Sequence, residues 1–350
     1  MSAAALPARV GIDFGLTTTD VVAWRGVAPG ADEPPFDHAA LHRPGPADAA
    51  VLARAFAALG LEPDGVRRVA VTGGRSRSLP ANWRGVEVVK IDEPQAIGRG
   101  GLAIADLRRA LVVSCGTGTA MVAADHDQGS YRHVGGTAVG GGTLVGLGHA
   151  LLGERDAEAL AALAARGDAS GVDTTLAEVL GGGVGDLPPE ATAVNLGRLA
   201  DLPAAPAAED LAAGIVTMIA QVIALLAIAT ARAHGLREVV ATGRLAQLAP
   251  VRATLDAVAD LYHRPRFHVP STGPRATALG AVLALEARHA ARLRQDVCSG
   301  LLAQCLLQDA ALQEALWDHP EIPAGDNVRL TMLCSIPKLR ARAEDLSSAS

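Results

Sequence analysis

Aromatic side chains are scarce in this chain of 350 residues, at 3%, and its four cysteines include no C-x-x-C pair. The first scarcity means that small residues must fill the core and that helices must pack closely. The second argues against a disulfide framework or a zinc site and fits a reducing compartment. Basic charge is not in surplus either. A formal net charge of −6 leaves no global pull toward nucleic acid or an anionic membrane. Three motifs are missing: a G-x-G-x-x-G running into a helix, H-E-x-x-H and G-x-S-x-G. Their absence removes the fingerprints of a Rossmann dinucleotide site, a zinc metalloprotease and an α/β-hydrolase.

With 49% hydrophobic and 19% charged residues, disorder is excluded over most of the length, and the size allows two domains or one large one. The run from Leu211 to Ala231 lacks charge and is long enough to cross a bilayer. It is diluted by Ala, Gly214, Thr217 and Gln221 and preceded by Glu209 and Asp210, which favours a buried helix. The chain moves into a strand-like run at Arg9 without a signal-peptide pattern. The expectation is a soluble, cytoplasmic protein with no nucleic-acid or membrane partner.

Val10 to Phe14 reads as a buried strand, Gly15 as a turn and Thr17 to Trp24 as the returning strand of a hairpin. Residues 26–46, rich in Pro, Gly and charge, read as a loop in which His38 and His42 are solvated. A helix over 47–59 stops at Gly60, strands follow at 69–72 and 86–91, and a helix runs from 93 or 94 to 107. The pattern then restarts. Ala110 to Ser114 is a strand, Gly116 to Gly118 a turn and Thr119 to Ala124 a returning strand. Helices are expected at 142–152, 156–166, 173–180, 207–234, 247–261 and 276–290, with strands at 239–242 and 267–269. Strand-turn-strand openings at Val10 and Ala110 indicate one architecture used twice, in the α/β class. This divides the chain into 1–107, 108–292 and an irregular tail, 293–350.

Two glycine-rich segments are the most informative feature: Ser114 to Thr119, and Gly135-Gly136-Thr137-Ala138-Val139-Gly140-Gly141-Gly142-Thr143. Backbone N–H groups in such loops can close on a multiply charged oxyanion, and a helix beginning near Gly142 would add its partial positive charge. Asp13, between a buried strand and Gly15, either organises Mg²⁺ through water or caps the turn. Glu93, after the strand ending at Ile91, either accepts a proton from an alcohol attacking phosphorus or stabilises a helix dipole capped by Asp92. Thr242-Gly243 is suited to backbone packing against an adenine, or is an ordinary turn. Arg75, Arg77 and Arg84 read as a solvated face.

In this order the residues resemble the type II, eukaryotic-like pantothenate kinases of the actin, heat-shock-chaperone and sugar-kinase superfamily. The resemblance rests on Gly11-Ile-Asp13-Phe-Gly15-Leu16-Thr17, on Asp92-Glu93-x-x-Ala96-x-Gly98-x-Gly100, and on Gly116-Thr117-Gly118-Thr119. It continues through Val134 to Thr143, Gly167-Asp168, Val172-Asp173, Asn195-Leu-Gly197-Arg198, Thr242-Gly243 and Ala276-x-x-x-Gly280-Ala281. It implies a duplicated ribonuclease-H-like (actin-like ATPase) fold with ATP in a cleft between two lobes, and a homodimer. The implied activity is ATP-dependent phosphorylation of pantothenate at its primary hydroxyl. Glu93 is then the base and Asp13 organises Mg²⁺. Gly11, Asp13, Gly15, Leu16 and Thr17, the residues from Gly116 to Thr119 and from Gly140 to Thr143, and Gly243 hold nucleotide. Arg132, His133, Gly135, Gly136 and Thr137 face the substrate. Four positions depart from the family pattern: His133 where Arg is usual, with Arg132 one residue earlier; Leu16 where a small residue is common; Asp20 where Lys often stands; and Arg244 in place of a small residue. These departures leave two other readings open, a nucleotide-binding regulator and a kinase of another pantoyl-like alcohol.

Overall fold

The computed structural model describes residues 9–24, 36–263 and 265–307, with side chains as far as residue 291. In chain order the elements are β1 (Arg9–Phe14), β2 (Thr18–Trp24), β3 (Phe36–His42), α1 (Ala49–Ala58), β4 (Arg68–Thr72), β5 (Asn82–Trp83), β6 (Val86–Lys90) and α2 (Glu93–Ala105). There follow β7 (Arg109–Cys115), β8 (Thr119–Asp125), β9 (Ser130–Thr137), α3 (Gly141–Leu152), α4 (Ala157–Ala164), β10 (Thr174–Thr175), α5 (Leu176–Leu180) and β11 (Thr192–Val194). The last are α6 (Ala208–Ala233), β12 (Glu238–Thr242), α7 (Ala249–Tyr262), β13 (Arg266–His268) and α8 (Ala276–Leu307). Two compact units result, Met1–Leu285 and Glu286–Ser350. Of the second, only the continuation of α8 is described. The position expected for the start of the tail, residue 293, falls inside that helix, and the tail beyond Leu307 lies outside the described residues.

Two sheets organise the first unit. One has the order β3-β2-β1-β4-β6-β5, the other β13-β12-β7-β8-β9. From β1 outward, β2 and β3 follow antiparallel on one side, β4 and β6 parallel on the other. From β7 outward, β8 and β9 are antiparallel, β12 and β13 parallel. The same five-strand pattern therefore occurs twice, as the paired openings at Val10 and Ala110 imply. This is the doubled ribonuclease-H-like arrangement of actin-like ATPases, with one lobe on each sheet.

Each lobe buries the apolar side of its sheet beneath helices. Val10, Ile12 and Phe14 of β1 meet Val51, Leu52 and Phe56 of α1. That helix is held at its start by Asp48, whose carboxylate accepts from the amides of Ala50 and Val51 at 2.9 Å, a capping arrangement. In the second lobe α6 is the central helix: Ile215, Ile219, Ile223 and Ile228 lie in one core with Leu111 and Met121. By length and composition α6 is able to span a membrane, yet 67% of its apolar window is buried. Apolar residues on both flanks of this helix meet protein, which explains its near-continuous hydrophobicity.

The second strand-rich surprise is β3. Residues 26–46 read as a loop, but Phe36 to His42 pair along all of β2. Their Pro-rich approach and interspersed His and Asp disguised a strand on the edge of a sheet, where polar side chains are tolerated. Residues 25–35 lie outside the described residues. The helix expected over 173–180 is shorter, because Thr174 and Thr175 form the small antiparallel pair β10–β11 with residues 192–194.

Small residues set the junction between lobes. In α2, Gly100 lies against the carbonyl of Ala276 in α8, and in α8, Gly280 lies against the carbonyl of Ala96 in α2. Ala96-x-x-x-Gly100 and Ala276-x-x-x-Gly280 thus face each other, with backbones in contact. Gly11 of β1 lies against the carbonyl of Ala278 on the same helix. This crossing fixes where the first turn of α2, and so Glu93, stands relative to β1.

Candidate active site

The turns of the β1–β2 and β7–β8 hairpins converge. Thr17 Oγ1 and Thr117 Oγ1 lie 3.1 Å apart and share a hydrogen bond, although 100 residues separate them. Each turn is tight. At Gly15 a Cβ would come within 2.6 Å of the Thr18 carbonyl, and the Gly116 amide donates to the Gly118 carbonyl at 2.9 Å. Among the described residues, the two threonine hydroxyls have only one another as hydrogen-bond partners. Thr119 is committed elsewhere: its hydroxyl donates to the Val139 carbonyl at 2.9 Å.

The glycine run closes on the second hairpin from the other side. Gly141 and Gly142 donate their amides to the carbonyls of Gly116 and Thr117, each at 2.8 Å. A Cβ on Gly140 would sit 2.7 Å from the Thr117 carbonyl. Thr143 Oγ1 accepts from the Gly140 amide at 3.2 Å, and Thr137 Oγ1 accepts from the Val139 amide at 3.1 Å. The expectation that this run presents its own amides to phosphate is therefore corrected at Gly141 and Gly142. Both amides are spent inside the protein, and the run acts as a buttress that fixes the Gly116 turn. Gly135, Gly136 and Thr137 are also not loop residues, since they complete β9 and pair with β8. Gly243 does the same work from β12. Its φ is 87°, in the region that favours glycine, and it presses on the Cys115 carbonyl while donating to the Gly273 carbonyl at 3.1 Å. Leu16, by contrast, is 64% exposed at the tip of the first turn.

Three carboxylates gather beside these turns. Asp13 is half-buried at the end of β1. Desolvation first, then the negative charges of Asp20 and Glu93, push its pKa from 3.8 up to about 8, and Arg244 opposes them. Glu93 opens α2 and is exposed, with Pro94 in the first turn. Asp92 stands at the N-cap position without a side-chain capping bond and Glu93 in the first turn, where its charge favours the helix dipole, so the dipole part of the alternative reading is met and the capping bond is not. Among the described residues no group of three or more His, Cys, Asp and Glu forms a ready-made cage for a metal.

A stability prediction follows from the sign of the Asp13 shift. An unfolded Asp releases its proton near pH 4, whereas the folded protein keeps it up to about pH 8. Between those values the native state binds more protons than the unfolded state, so stability falls as pH rises through that window and levels off above it. The expected outcome in metal-free buffer is a Tm that declines from pH 5 to pH 8. Asp13→Asn is expected to flatten that decline, and an unchanged slope in scanning calorimetry of that variant would refute the assignment.

Sequence reasoning missed an ion pair that joins the two lobes. Arg244 Nη1 and Nη2 donate to Asp20 Oδ2 and Oδ1 at 2.8 and 2.6 Å, joining residues 224 apart. On its other side Asp20 bonds to His38 Nε2 at 2.7 Å. Asp20 is buried, and burial alone would raise its pKa. The hydrogen bonds from His38 and Arg244, with their charges, outweigh it and hold the carboxyl below its usual range. His38 is thus a paired strand residue of β3, not a solvated loop histidine. Arg75 is a second correction: it donates to the Leu16 carbonyl at 3.1 Å and so braces the turn of the first hairpin. Gly73, with φ 86°, abuts Asp13, where a Cβ would meet Oδ1 at 2.7 Å. The Thr72-Gly73-Gly74 exit from a strand is the signal that could have found it.

The register of β9 separates its two candidate substrate residues. His133 pairs with Val122, which belongs to a core with Ile97 and Leu102 of α2. Arg132 pairs with Ala123, which packs toward the core of α6. Paired residues project to one face, so His133 shares the α2 face with Tyr131 while Arg132 lies on the opposite face. A bulge follows, between Met121 and Val122, and leaves Val134 as the extra residue. Arg99 of α2 stacks on the Tyr131 ring at 4.8 Å. Glu93, His133 and Arg99 are thereby on the same side of the second sheet, and Arg132 is not among them.

The Fumble family model matches residues 106–263, which begin after α2, so Asp13 and Glu93 precede the matched stretch. A type II pantothenate kinase of Bacillus cereus (strain G9842) is 25% identical over 186 residues, 51% of this chain and 67% of that protein. One of Oceanobacillus iheyensis is 29% identical over 181 residues, 50% and 63% of the two chains. The matched length is thus about two thirds of each relative. Among solved structures, the activator of the 2-hydroxyisocaproyl-CoA dehydratase from Clostridium difficile, with bound ADPNP, has a TM-score of 0.53 at 19% identity. It covers 81% of this chain and 97% of its own. Component A of the (R)-2-hydroxyglutaryl-CoA dehydratase of Acidaminococcus fermentans has the same TM-score at 17% identity, with 79% and 96% covered. The chain is similar in sequence to type II pantothenate kinases and shares its fold with these actin-like ATPases.

Proposed function

We propose that this protein is an ATP- and Mg²⁺-dependent kinase that phosphorylates the primary hydroxyl of pantothenate. The observation that carries this reading is the meeting of the two hairpin turns at Thr17 and Thr117, with Asp13 and Glu93 beside them. The similarity to type II pantothenate kinases supports the choice of acceptor.

Phosphoryl transfer needs little covalent help from a protein. It needs reactants held in line and negative charge compensated. The braced hairpin turns supply rigid positions for the phosphates, and Gly243, packed on the Cys115 carbonyl, holds the second of them from the end of β12. Glu93 is exposed at the start of α2, so its carboxylate can accept the proton from the acceptor's hydroxyl as that oxygen bonds to the terminal phosphorus. The bond from phosphorus to the departing ADP oxygen then breaks, and phosphopantothenate and ADP leave. His133 on the α2 face is the group of β9 that borders the acceptor, and an imidazole lacks the forked donors with which a guanidinium grips an anion.

Asp13 fits a magnesium ion: burial and the neighbouring Asp20 and Glu93 disfavour its negative charge, which Arg244 only partly offsets. Magnesium retains most of its waters and takes few protein oxygens, so one carboxylate suffices. Bound there, the ion would neutralise charge on the phosphates. A homodimer in the cytoplasm, as in the resemblance, belongs to the same reading.

The test is an assay of the purified protein with ATP, Mg²⁺ and pantothenate. The expected outcome is one ADP per phosphopantothenate identified by mass spectrometry. Nucleotide binding without a phosphorylated product, across a panel of pantoyl alcohols, would instead favour a regulator. Turnover of a different alcohol in the panel would reassign the acceptor.

A further inference from the structure

We propose that Arg244 is the protein cation that contacts the nucleotide's terminal phosphates, and that Asp20 is the residue that positions its guanidinium for this task. The inference rests on the nucleotide-binding half of the proposed function and is independent of which alcohol accepts the phosphoryl group.

The first observation is a shortage of cations. Neither Lys nor Arg occurs in Asp13 to Asp20, in Ser114 to Thr119 or in Gly135 to Thr143, and the chain has only two lysines, Lys90 and Lys338. The turns that would hold phosphate offer amides and hydroxyls alone, and the amides of Gly141 and Gly142 are already committed. A transferring phosphoryl group concentrates negative charge that neutral donors compensate poorly. The protein must bring positive charge from outside the turns.

Arg244 is placed to do so. It follows Gly243, whose left-handed backbone turns the chain against Cys115, at the root of the second hairpin. Its side chain ends on Asp20, which is on β2 of the first hairpin. The guanidinium therefore lies between the roots of both turns, and its charge is felt at Asp13. The guanidinium carries five N–H donors. Asp20 engages Nη1 and Nη2 as a fork, which leaves three donors for phosphate oxygens. Asp20 cannot follow its partner outward, because it is buried in a strand flanked on both sides and is also bound to His38.

Arg75 is the other cation that touches a turn, through the Leu16 carbonyl. Its guanidinium serves the shape of the first hairpin, so its removal is expected to affect all nucleotides alike. A purely structural Asp20–Arg244 clasp between lobes would likewise be indifferent to phosphate number. That difference separates the possibilities.

The experiment compares the dissociation constants of MgATP and AMP for the full chain by isothermal titration calorimetry. Arg244→Gln is expected to weaken ATP roughly 10- to 100-fold, the size of lost charge-assisted hydrogen bonds, while AMP changes less than about threefold. Asp20→Asn is expected to show the same pattern at smaller size, and the double variant to be no worse than Arg244→Gln. Added guanidinium ion is expected to restore part of the ATP affinity of Arg244→Ala. Equal losses for ATP and AMP in Arg244→Gln, or an ATP-selective loss in Arg75→Gln instead, would overturn the assignment. Should Arg244→Gln fail to fold, Arg244→Lys and Asp20→Asn carry the same comparison. Selective loss of ATP in a protein that does not phosphorylate pantothenate would uphold Arg244 and remove the proposed acceptor. Failure of the unaltered chain to bind ATP would remove both.

Discussion

Glu93→Gln is expected to lower kcat with pantothenate by roughly 10²- to 10⁴-fold, the usual contribution of a general base. ATP affinity and thermal stability are expected to remain near those of the unaltered protein. The asymmetry has a structural reason. Glu93 is exposed in the first turn of α2, so little of the fold depends on its charge. Gln keeps the volume and the helix propensity but cannot take up a proton. Removing one negative charge also relieves Asp13, whose pKa Glu93 helps to raise, and the decline in Tm is therefore expected to level off at a slightly lower pH. Steady-state kinetics with both substrates varied, read beside a melting curve, check all of this. An undiminished kcat would remove Glu93 as the base, and a collapse of Tm would make it a structural residue.

Much of this site was visible in the chain before any coordinates. The hairpins at Val10 and Ala110 were legible because β-branched, apolar runs flank a lone glycine turn, a local pattern that needs no partner to be read. The α2 start was legible too, since Asp-Glu-Pro after a strand marks a helix opening. What escaped was long-range. Asp20 and Arg244 stand far apart in the sequence, and each taken alone looks like a departure from the family pattern. The fold makes them one bonded pair, so two irregularities become a single compensated change. Arg75 escaped for the same reason: a run of arginines looks solvated until a distant carbonyl is placed beside it.

The glycines show a different limit. Composition alone identified Gly140 to Gly142 as unusual but assigned the freedom of glycine to a ligand. The structure spends it on the protein itself, where a Cβ would strike the Thr117 carbonyl and its neighbours. Close approach of a backbone to a phosphate and close approach of two backbones call for the same residue, so a sequence cannot separate them. Register has the same character. Arg132 and His133 are adjacent in sequence, yet the pleat sends them to opposite faces, and only their partners in β8 fix which one joins α2.

The largest effect on stability is expected where α2 crosses α8. Gly280→Ala places a methyl group inside the Ala96 carbonyl and near the Gly100 amide, atoms of a backbone that cannot turn aside as a side chain would. Relief requires the helices to separate, which uncovers Ala96, Ala281 and Ala284, all fully buried in the same small core. Overpacking of this kind costs on the order of 3–5 kcal/mol, a large share of a typical domain's stability. A control sharpens the reading. Gly146 also lies within a helix, α3, but nothing approaches its added Cβ, so Gly146→Ala is expected to stabilise by about 0.5–1 kcal/mol through helix propensity. Urea unfolding of both variants checks the pair. Equal small effects at the two positions would mean that the α2–α8 contact is looser than described. Because the same crossing sets Glu93 against β1, any folded fraction of Gly280→Ala is also expected to lose kcat while its KM for ATP stays closer to normal, since both phosphate turns lie on other elements.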